Sequence, residues 1–541
     1  MGNLTVPQRA PGGPRAGRRL AGTLLLGVLA AGTALVGAEP PASAHASAPA
    51  PAAAPAAAPA TSPATVSVDF GHEQGSLPRP ERYNNFGNVT AWPQQRGDDV
   101  AFLNEQGLHG DIYRVWLSSS NASPQNDVFN QCDLATRKCD FSPLDAYLRQ
   151  ASAVSDSLLV NINPSGFVKG ERPFKDLEPM LELVIGNLKK KYPHVKYVEV
   201  YNEPDWEYYG QTLHDGHPAD QATLQPGGLY RFYPPFYEAV GKVNKALHRP
   251  DRIRVGGPAL SWLDPKWLRP FLDGYAADRN PRKRLDFISY HAYLKWDDKY
   301  QVPTFYKNDL GVVASDRATI LGWLKERRLS RHIPSFITET GIYPGPSFDD
   351  PDPKNDYIRQ AAGMATYGYL YSNQPDTHVF NWVVRHRVEE RKDQLVTRTP
   401  NGPVLDTFTP YGNMMLMQSK MKRTRVSAVS GGLKGDNGVY AIASKDRSGA
   451  ALMVWNWQHT GTDAYRATID MSRLPAGLRH GKVRQRTYRI DQSTSNYFTD
   501  PAKAGLQMVD ERTVTPGRTY AQSIDLGPNA IYLVMLEPAR P

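Results

Sequence analysis

Tyr197-Val-Glu-Val-Tyr-Asn-Glu-Pro-Asp-Trp-Glu-Tyr-Tyr-Gly210 is the stretch from which the rest of the chain is read. Its first half alternates aromatic, β-branched and acidic residues, as a short buried strand does. Pro204 has no N–H to give to a ladder and ends that strand, so Asn202 and Glu203 stand at its carboxyl end. An amide and a carboxyl at a strand tip, followed by Trp206, Tyr208 and Tyr209, suit sugar chemistry. They supply a proton donor, a hydrogen-bonding neighbour and flat apolar faces. The plain alternative is an ordinary strand end with a solvated Glu203. A second carboxylate placed to face it decides between the two.

Outward from this strand, the chain repeats one unit: apolar strand, loop, amphipathic helix. Strands are expected over Arg82–Asn88, Ile112–Leu117, Leu158–Asn163, Tyr197–Asn202, Ile253–Gly257, Phe287–Tyr290, Ser335–Thr338 and His378–Val383. Between them, Phe174, Leu177, Leu181, Val184 and Leu188 recur three and four apart, the spacing of one buried helix face. Pro179 falls in the first turn if Asp176 caps that helix. Similar patterns run through Leu144–Ser155, Tyr230–Leu247, Ala318–Arg327 and Asp356–Tyr371. Eight strands alternating with helices predict an α/β fold, a (β/α)8 TIM barrel over residues 81–425. A doubly wound open sheet is the competing topology. Against it, no strand leads into a G-x-G-x-x-G turn, and polar residues gather at many strand ends instead of one switch point.

Beyond Arg425 the pattern changes to short alternating runs, Gly438–Ser444, Ala450–Gln458, Ala464–Met471, Val483–Ile490 and Ala530–Leu536, divided by turn residues. A C-terminal β-sandwich over 426–541 follows. The short strand Thr65–Phe70, within 65–80, is free to join it.

The second carboxylate is Glu339, in Ser335-Phe-Ile-Thr-Glu-Thr-Gly341, which also follows a short apolar run and precedes a loop. In a barrel, Glu203 and Glu339 would close strands four and seven and face each other across the mouth. One carboxyl to protonate a leaving oxygen and one to attack the anomeric carbon, or to activate water, is the machinery of glycoside hydrolysis.

Together, Asn202-Glu203-Pro204 and Thr338-Glu339-Thr340-Gly341 resemble the retaining glycoside hydrolases of clan A. Tyr201-Asn-Glu-Pro-Asp205 with a following sandwich looks most like glycoside hydrolase family 39, the β-xylosidase and α-L-iduronidase family. The resemblance implies Glu203 as acid/base, Glu339 as nucleophile and Asn202 as the partner of the sugar 2-hydroxyl. It implies Arg114 beside the nucleophile, with a buried structural ion pair as the other reading of that arginine. It also implies an active-site role for His291 and Tyr293, which are two apart and share a strand face. Trp382 is a candidate sugar platform, Trp206 a leaving-group wall, and Trp116 and Asn163 weaker lining residues. Arg385, His386 and Arg387 could read a uronic carboxylate or form a solvated basic loop. Asp349, Asp350, Asp352 and Asp356 could form a calcium loop, but they lack its ligand spacing and read as an exposed turn. Trp455 and Trp457 share a strand face, which leaves a sugar surface and packing against the barrel both open.

The expected function is therefore a retaining glycosidase of plant-type β-D-xylosides, α-L-arabinosides or β-D-galactosides. The carboxyls should lie about 5–5.5 Å apart. The alternatives are a uronide-cleaving relative and a carbohydrate-binding protein without turnover. The expected partner is a carbohydrate substrate, with no cofactor and no metal; the oligomeric state is left open.

Composition removes other classes. The formal charge of +9 includes Arg9, Arg15, Arg18 and Arg19 against Glu39 in residues 1–46, and +6 remains without them. Lys and Arg are otherwise scattered, which gives no nucleic-acid footprint. The basic start, the apolar run Leu20–Ala38 and small residues near Ala42–Ala46 read as a secretory signal cleaved near Ala44 or Ala46. Arg18-Arg19 leaves general and twin-arginine export open. Residues 47–64 are nearly all Ala, Pro, Ser and Thr, a disordered spacer by composition. No membrane association is expected after cleavage. Cys132 and Cys139 are the only cysteines, and in an exported protein they are expected to pair.

Overall fold

The computed structural model describes residues 61–87, 98–118, 127–207, 226–295, 310–343, 353–384, 396–398 and 406–539. The expected signal, residues 47–60 of the spacer, and Tyr208, Tyr209, Asp349, Asp350, Asp352, Arg385, His386 and Arg387 lie outside them.

Eight parallel strands close into a barrel: Tyr83–Gly87, Gly110–Ser118, Ser155–Ile162, Val195–Val200, Arg254–Leu260, Phe287–Lys295, Ser335–Tyr343 and Thr377–Asn381. Each overlaps an expected strand. Alternation along these strands sorts the interior into layers. Ile112, Leu159, Phe287, Phe336 and Phe380, with Tyr83 and Tyr197 against them, form one apolar cluster that plugs the barrel. Two residues further along the same strands come Asn85, Arg114, Asn161, Glu199 and Ser289, all buried. The barrel is thus a packed floor carrying a polar layer, and the polar layer lies on the carboxyl-terminal side.

The helices Ser142–Ala153, Leu177–Lys191, Tyr233–Asn244, Leu310–Glu326 and Pro353–Ser372 fall where periodicity places them. Asp176 occupies the cap position of the second of these, although its side chain makes no capping bond. The helix Pro265–Ala277 is an addition to the expected set, and it contains two prolines, Pro265 and Pro270. Pro265 opens the first turn, where its missing N–H has no partner to lose, and Asp264 caps it by accepting from the Lys266 N–H at 2.7 Å.

The C-terminal strands build one hydrogen-bonded ten-stranded sheet, not two separate ones. Its order runs Gln507–Val514, Val483–Ile490, Ile531–Pro538, Gly449–Trp457, Asn437–Asp446, Thr424–Ser430, Thr61–Ser76, Ala464–Ser472 and Thr519–Leu526, with Leu433–Lys434 beside Asn437–Asp446. The sheet curls over a core that includes Val66, Val68, Phe70, Leu452, Ile469 and Leu526. One end strand comes back to the second strand from the other end, where Tyr520 donates to Gln485 at 2.7 Å. The N-terminal strand starts at Thr61, inside the stretch read as spacer, and residues 61–64 pair in parallel with residues 464–467. Pro63 is tolerated there because the antiparallel partner on the other side begins only at Val66.

Gly449–Trp457 is buried on both faces. Ala450, Leu452 and Val454 enter the sheet's own core, while Ala451, Met453, Trp455 and Trp457 join the barrel's apolar cluster. Trp455 donates Nε1–H to Thr366 Oγ1 at 2.8 Å, on the helix Pro353–Ser372. The two tryptophans are therefore the seam between sheet and barrel, which removes the sugar-surface reading. Cys132 and Cys139 are disulfide-bonded across a two-stranded hairpin. Among the described residues no helix is long and apolar enough to cross a membrane.

Candidate active site

The polar layer converges on Arg114. Its guanidinium is fully buried and donates from Nε to Glu199 Oε2 at 2.6 Å, from Nη1 to Glu339 Oε1 at 2.6 Å and from Nη2 to Asn202 Oδ1 at 2.8 Å. A fourth contact reaches Asn85 Oδ1 at 3.2 Å. Arg114 is thus both the expected neighbour of Glu339 and the centre of a buried ion pair. The two readings are compatible because the fork has donors for both carboxylates.

Glu339 is held at its second oxygen as well, where Tyr293 donates its hydroxyl to Oε2 at 2.6 Å. His291 Nδ1 lies 3.6 Å from the same oxygen and 2.9 Å from Glu203 Oε1. Simple alternation would place Thr338, not Glu339, on the inner face with Phe336. A register irregularity between Ile337 and Glu339 brings Glu339 level with His291 on the neighbouring strand.

Glu203 reaches the site by a different local device. Tyr201 and Glu203 both have left-handed backbone, with φ of 69° and 46°. Each such residue costs roughly 1–2 kcal/mol and persists only where its surroundings enforce it. Here the Glu203 N–H donates to Ala259 O at 2.7 Å, the Tyr201 hydroxyl donates to Leu229 O at 2.6 Å, and Asn161 Nδ2 donates to Tyr201 O at 2.5 Å.

Burial pushes the Glu203 carboxyl up to about 7, against the pull of Arg114. It also raises Glu339, where His291, Arg114 and the Tyr293 hydroxyl pull back and Glu203 pushes further up. Glu199 ends below its ordinary range: burial would raise it, but Arg114, His291 and the Asn161 amide outweigh that. Burial takes His291 down to about 4, so the imidazole is neutral at pH 7. Its Nε2 is buried and has no hydrogen-bond partner among the described residues. An unpaired lone pair costs less there than an unpaired N–H, so the proton sits on Nδ1, between the two carboxyls.

One wall is aromatic. Trp116, Tyr293, Trp382 and Val383 form a separate buried cluster, with the two indole centroids 5.4 Å apart. The Arg114 guanidinium lies 5.3 Å from the Trp116 ring. A Cβ at Gly341 would stand 3.2 Å from the Tyr293 ring, so glycine there leaves room for the ring that bonds Glu339. Asn163 is also buried. The backbone of Trp206 lies in the one-turn helix Pro204–Glu207, and its side chain is outside the described residues.

The structure brings together Glu203, Glu339, Asn202, Arg114, His291 and Tyr293, with Trp382 packed on Tyr293. Sequence reasoning passed over Glu199, Asn85, Asn161 and Asp205. Glu199 carries a signal: it is an acid inside an apolar strand, two positions from Tyr197 and on the same face. Asn85 and Asn161 stand out only once the barrel closes. Glu203, His291 and Glu339 are also close enough to hold a metal ion among the described residues. Arg114 and Tyr293 already bond the two Glu339 oxygens, and the fixed charge of Arg114 opposes a second cation beside it.

Compared as a sequence, the chain matches no family model, and no curated protein matches it significantly. Compared as a structure, it is similar to a glucosidase from Croceicoccus marinus, with a TM-score of 0.63 and 15% identity over 88% of this chain and 100% of that one. It is similar to a bacterial orthologue of human α-L-iduronidase, with a TM-score of 0.64 and 13% identity over 88% and 84%. It is also similar to a family 39 glycoside hydrolase from Xanthomonas axonopodis pv. citri, with a TM-score of 0.61 and 15% identity over 90% and 100%. The chain has the fold of the clan A glycoside hydrolases. Family 39 structures are among those it resembles over most of its length.

Proposed function

We propose that the protein is a retaining glycosidase in which Glu203 is the acid/base and Glu339 the nucleophile. One observation carries this reading: one carboxylate oxygen of Glu203, one of Glu339 and a ring nitrogen of His291 lie within 4.8 Å of one another. Inversion needs carboxyls roughly 6.5–9.5 Å apart to admit a water, whereas retention works near 5–5.5 Å.

The surroundings support different roles for the pair. Glu339 takes donors on both oxygens and, of the two, is the one held as a carboxylate. Glu203 has a neutral imidazole as its side-chain partner, and a quarter of its side-chain surface is exposed. It therefore carries the shared proton on the oxygen that His291 does not touch. In the first step that proton passes to the glycosidic oxygen as a Glu339 oxygen bonds to the anomeric carbon and the leaving-group bond breaks. In the second, Glu203 as carboxylate takes a proton from water, whose oxygen displaces Glu339 from the same carbon. With Glu203 and His291 neutral, Arg114, Glu199 and Glu339 leave the layer one charge negative, which favours the oxocarbenium-like transition state. Asn202 gives its amide oxygen to Arg114 and keeps its N–H donors for a sugar hydroxyl.

The substrate class follows from the motif resemblance: a terminal β-D-xyloside, α-L-arabinoside or β-D-galactoside of plant type, hydrolysed outside the cell after signal removal. The test is hydrolysis of an aryl glycoside panel by wild type and Glu339→Ala, followed by NMR of the first anomer released. Retained anomeric configuration, abolished by Glu339→Ala, supports the reading. An inverted product overturns the mechanism, and binding without turnover across the panel leaves the carbohydrate-binding alternative in its place.

A further inference from the structure

Two residues beyond Glu203, Asp205 is buried at 7% exposure and makes a two-point contact with the end of the fifth barrel strand. Its Oδ1 accepts the Ser261 backbone N–H at 2.8 Å and its Oδ2 accepts the Ser261 hydroxyl at 2.8 Å. Ser261 is itself buried. This contact lies beside the bond from the Glu203 N–H to Ala259 O. Ala259 also has left-handed backbone, with φ of 49°, and its N–H donates to Ser289 Oγ at 3.0 Å. Two strained strand ends are thus fastened to each other, at Glu203 by its backbone and two residues on by the Asp205 side chain.

We propose that Asp205 is a positioning residue for the acid/base: clamped to Ser261, it fixes the left-handed turn that presents Glu203, and its carboxylate charge helps keep the proton on Glu203. This rests on the glycosidase reading and deepens it. Both Asp205 oxygens accept donors, the pattern of an ionised carboxylate. Among the described residues Glu203 is the titratable group that acts on Asp205, while Ser261 contributes donors and no charge. Burial pushes Asp205 up to about 7, the Ser261 donors pull it back and Glu203 adds to the rise. The coupling is mutual, so an anionic Asp205 raises the proton affinity of Glu203.

The charge and the clamp are separable. Asp205→Asn keeps the shape and one acceptor oxygen but loses the charge, Ser261→Ala loses one fastening and keeps the charge, and Asp205→Ala loses both. The measurement is kcat/KM against pH on two glycosides of the sugar wild type prefers, one with a dinitrophenyl and one with an alkyl leaving group. For Asp205→Asn the alkaline limb moves down by roughly 0.5–1 pH unit. For Asp205→Ala the alkyl glycoside loses roughly 10–100-fold while the dinitrophenyl glycoside, which needs no acid, loses less than about 3-fold. A merely structural role slows both substrates equally and leaves the limb in place. That outcome in Asp205→Asn and Ser261→Ala, the milder variants, overturns the proposal even where Asp205→Ala does not fold. Wild type inactive on every glycoside removes the glycosidase reading and this proposal with it. An active wild type with an unshifted Asp205→Asn removes the proposal alone.

Discussion

The Nδ1 atom of His291 lies 2.9 Å from Oε1 of Glu203, so the neutral imidazole donates its one N–H to the acid/base candidate. That bond favours the ionised form of Glu203, so its loss should raise the proton affinity of Glu203. His291→Phe fills the space without a donor. The expected result is an alkaline limb displaced to higher pH and a kcat roughly 10–100-fold lower, the worth of one hydrogen bond to a charged group. The same variant should lose less stability on acidification. Wild-type His291 stays neutral down to about 4 while the unfolded imidazole takes its proton near 6.5, so wild type is destabilised as pH falls through that window.

Glu203 itself should weaken the fold at alkaline pH. Its carboxyl titrates at about 7 in the folded chain against an ordinary 4.5, so the folded state keeps a proton that the unfolded state has released. Stability contributed by that proton is complete below the ordinary value and is lost as pH rises through the folded one. Glu203→Gln is always neutral. Thermal melts should show it more stable than wild type by ~1–3 kcal/mol at pH 8 and no different at pH 4. Equal melting at both values would count against the shift.

Glu199 shares the charge of Arg114 with Glu339 and should be needed for folding more than for turnover. Glu199→Gln leaves a buried guanidinium facing a single carboxylate and should cost about 3 kcal/mol in urea unfolding. Arg114 then acts on Glu339 alone and lowers its proton affinity. The acid limb of kcat/KM should move to lower pH; a shift to higher pH would contradict the shared arrangement.

Trp455 tests the seam between sheet and barrel. Trp455→Ala removes a buried indole and leaves Thr366 Oγ1 without its donor, so it should destabilise by ~3–5 kcal/mol. The groups it bonds or packs its ring against, Thr366, Tyr369 and Tyr440, are outside the active site. Just below the lowered melting temperature, kcat should stay within about 3-fold of wild type. Unfolding of the sheet before the barrel, as separate calorimetric transitions, would argue against a shared core.

Much of this protein is determined by local pattern. Eight short apolar runs, divided by helical patterns, predict the barrel strands, because a parallel strand covered on both faces reads as a nearly continuous apolar segment whatever its neighbours are. Pro204 marks the strand end beside Glu203, because proline cannot serve a ladder. The two carboxyl-bearing strand tips, at Glu203 and Glu339, are therefore legible in the sequence.

Tertiary structure alone decided how those tips meet. Along an ideal strand Glu339 would face away from Phe336's side. It faces inward because the pairing with the sixth strand slips between Ile337 and Glu339, and that slip exists only when both strands are present. The left-handed backbone of Tyr201 and Glu203 is held by Ile162, Leu229 and Ala259, all distant in sequence. Glu199 became part of the site for the same reason. A carboxylate inside a strand is a liability until a guanidinium 85 positions away is buried against it, and no single strand's sequence contains that partner.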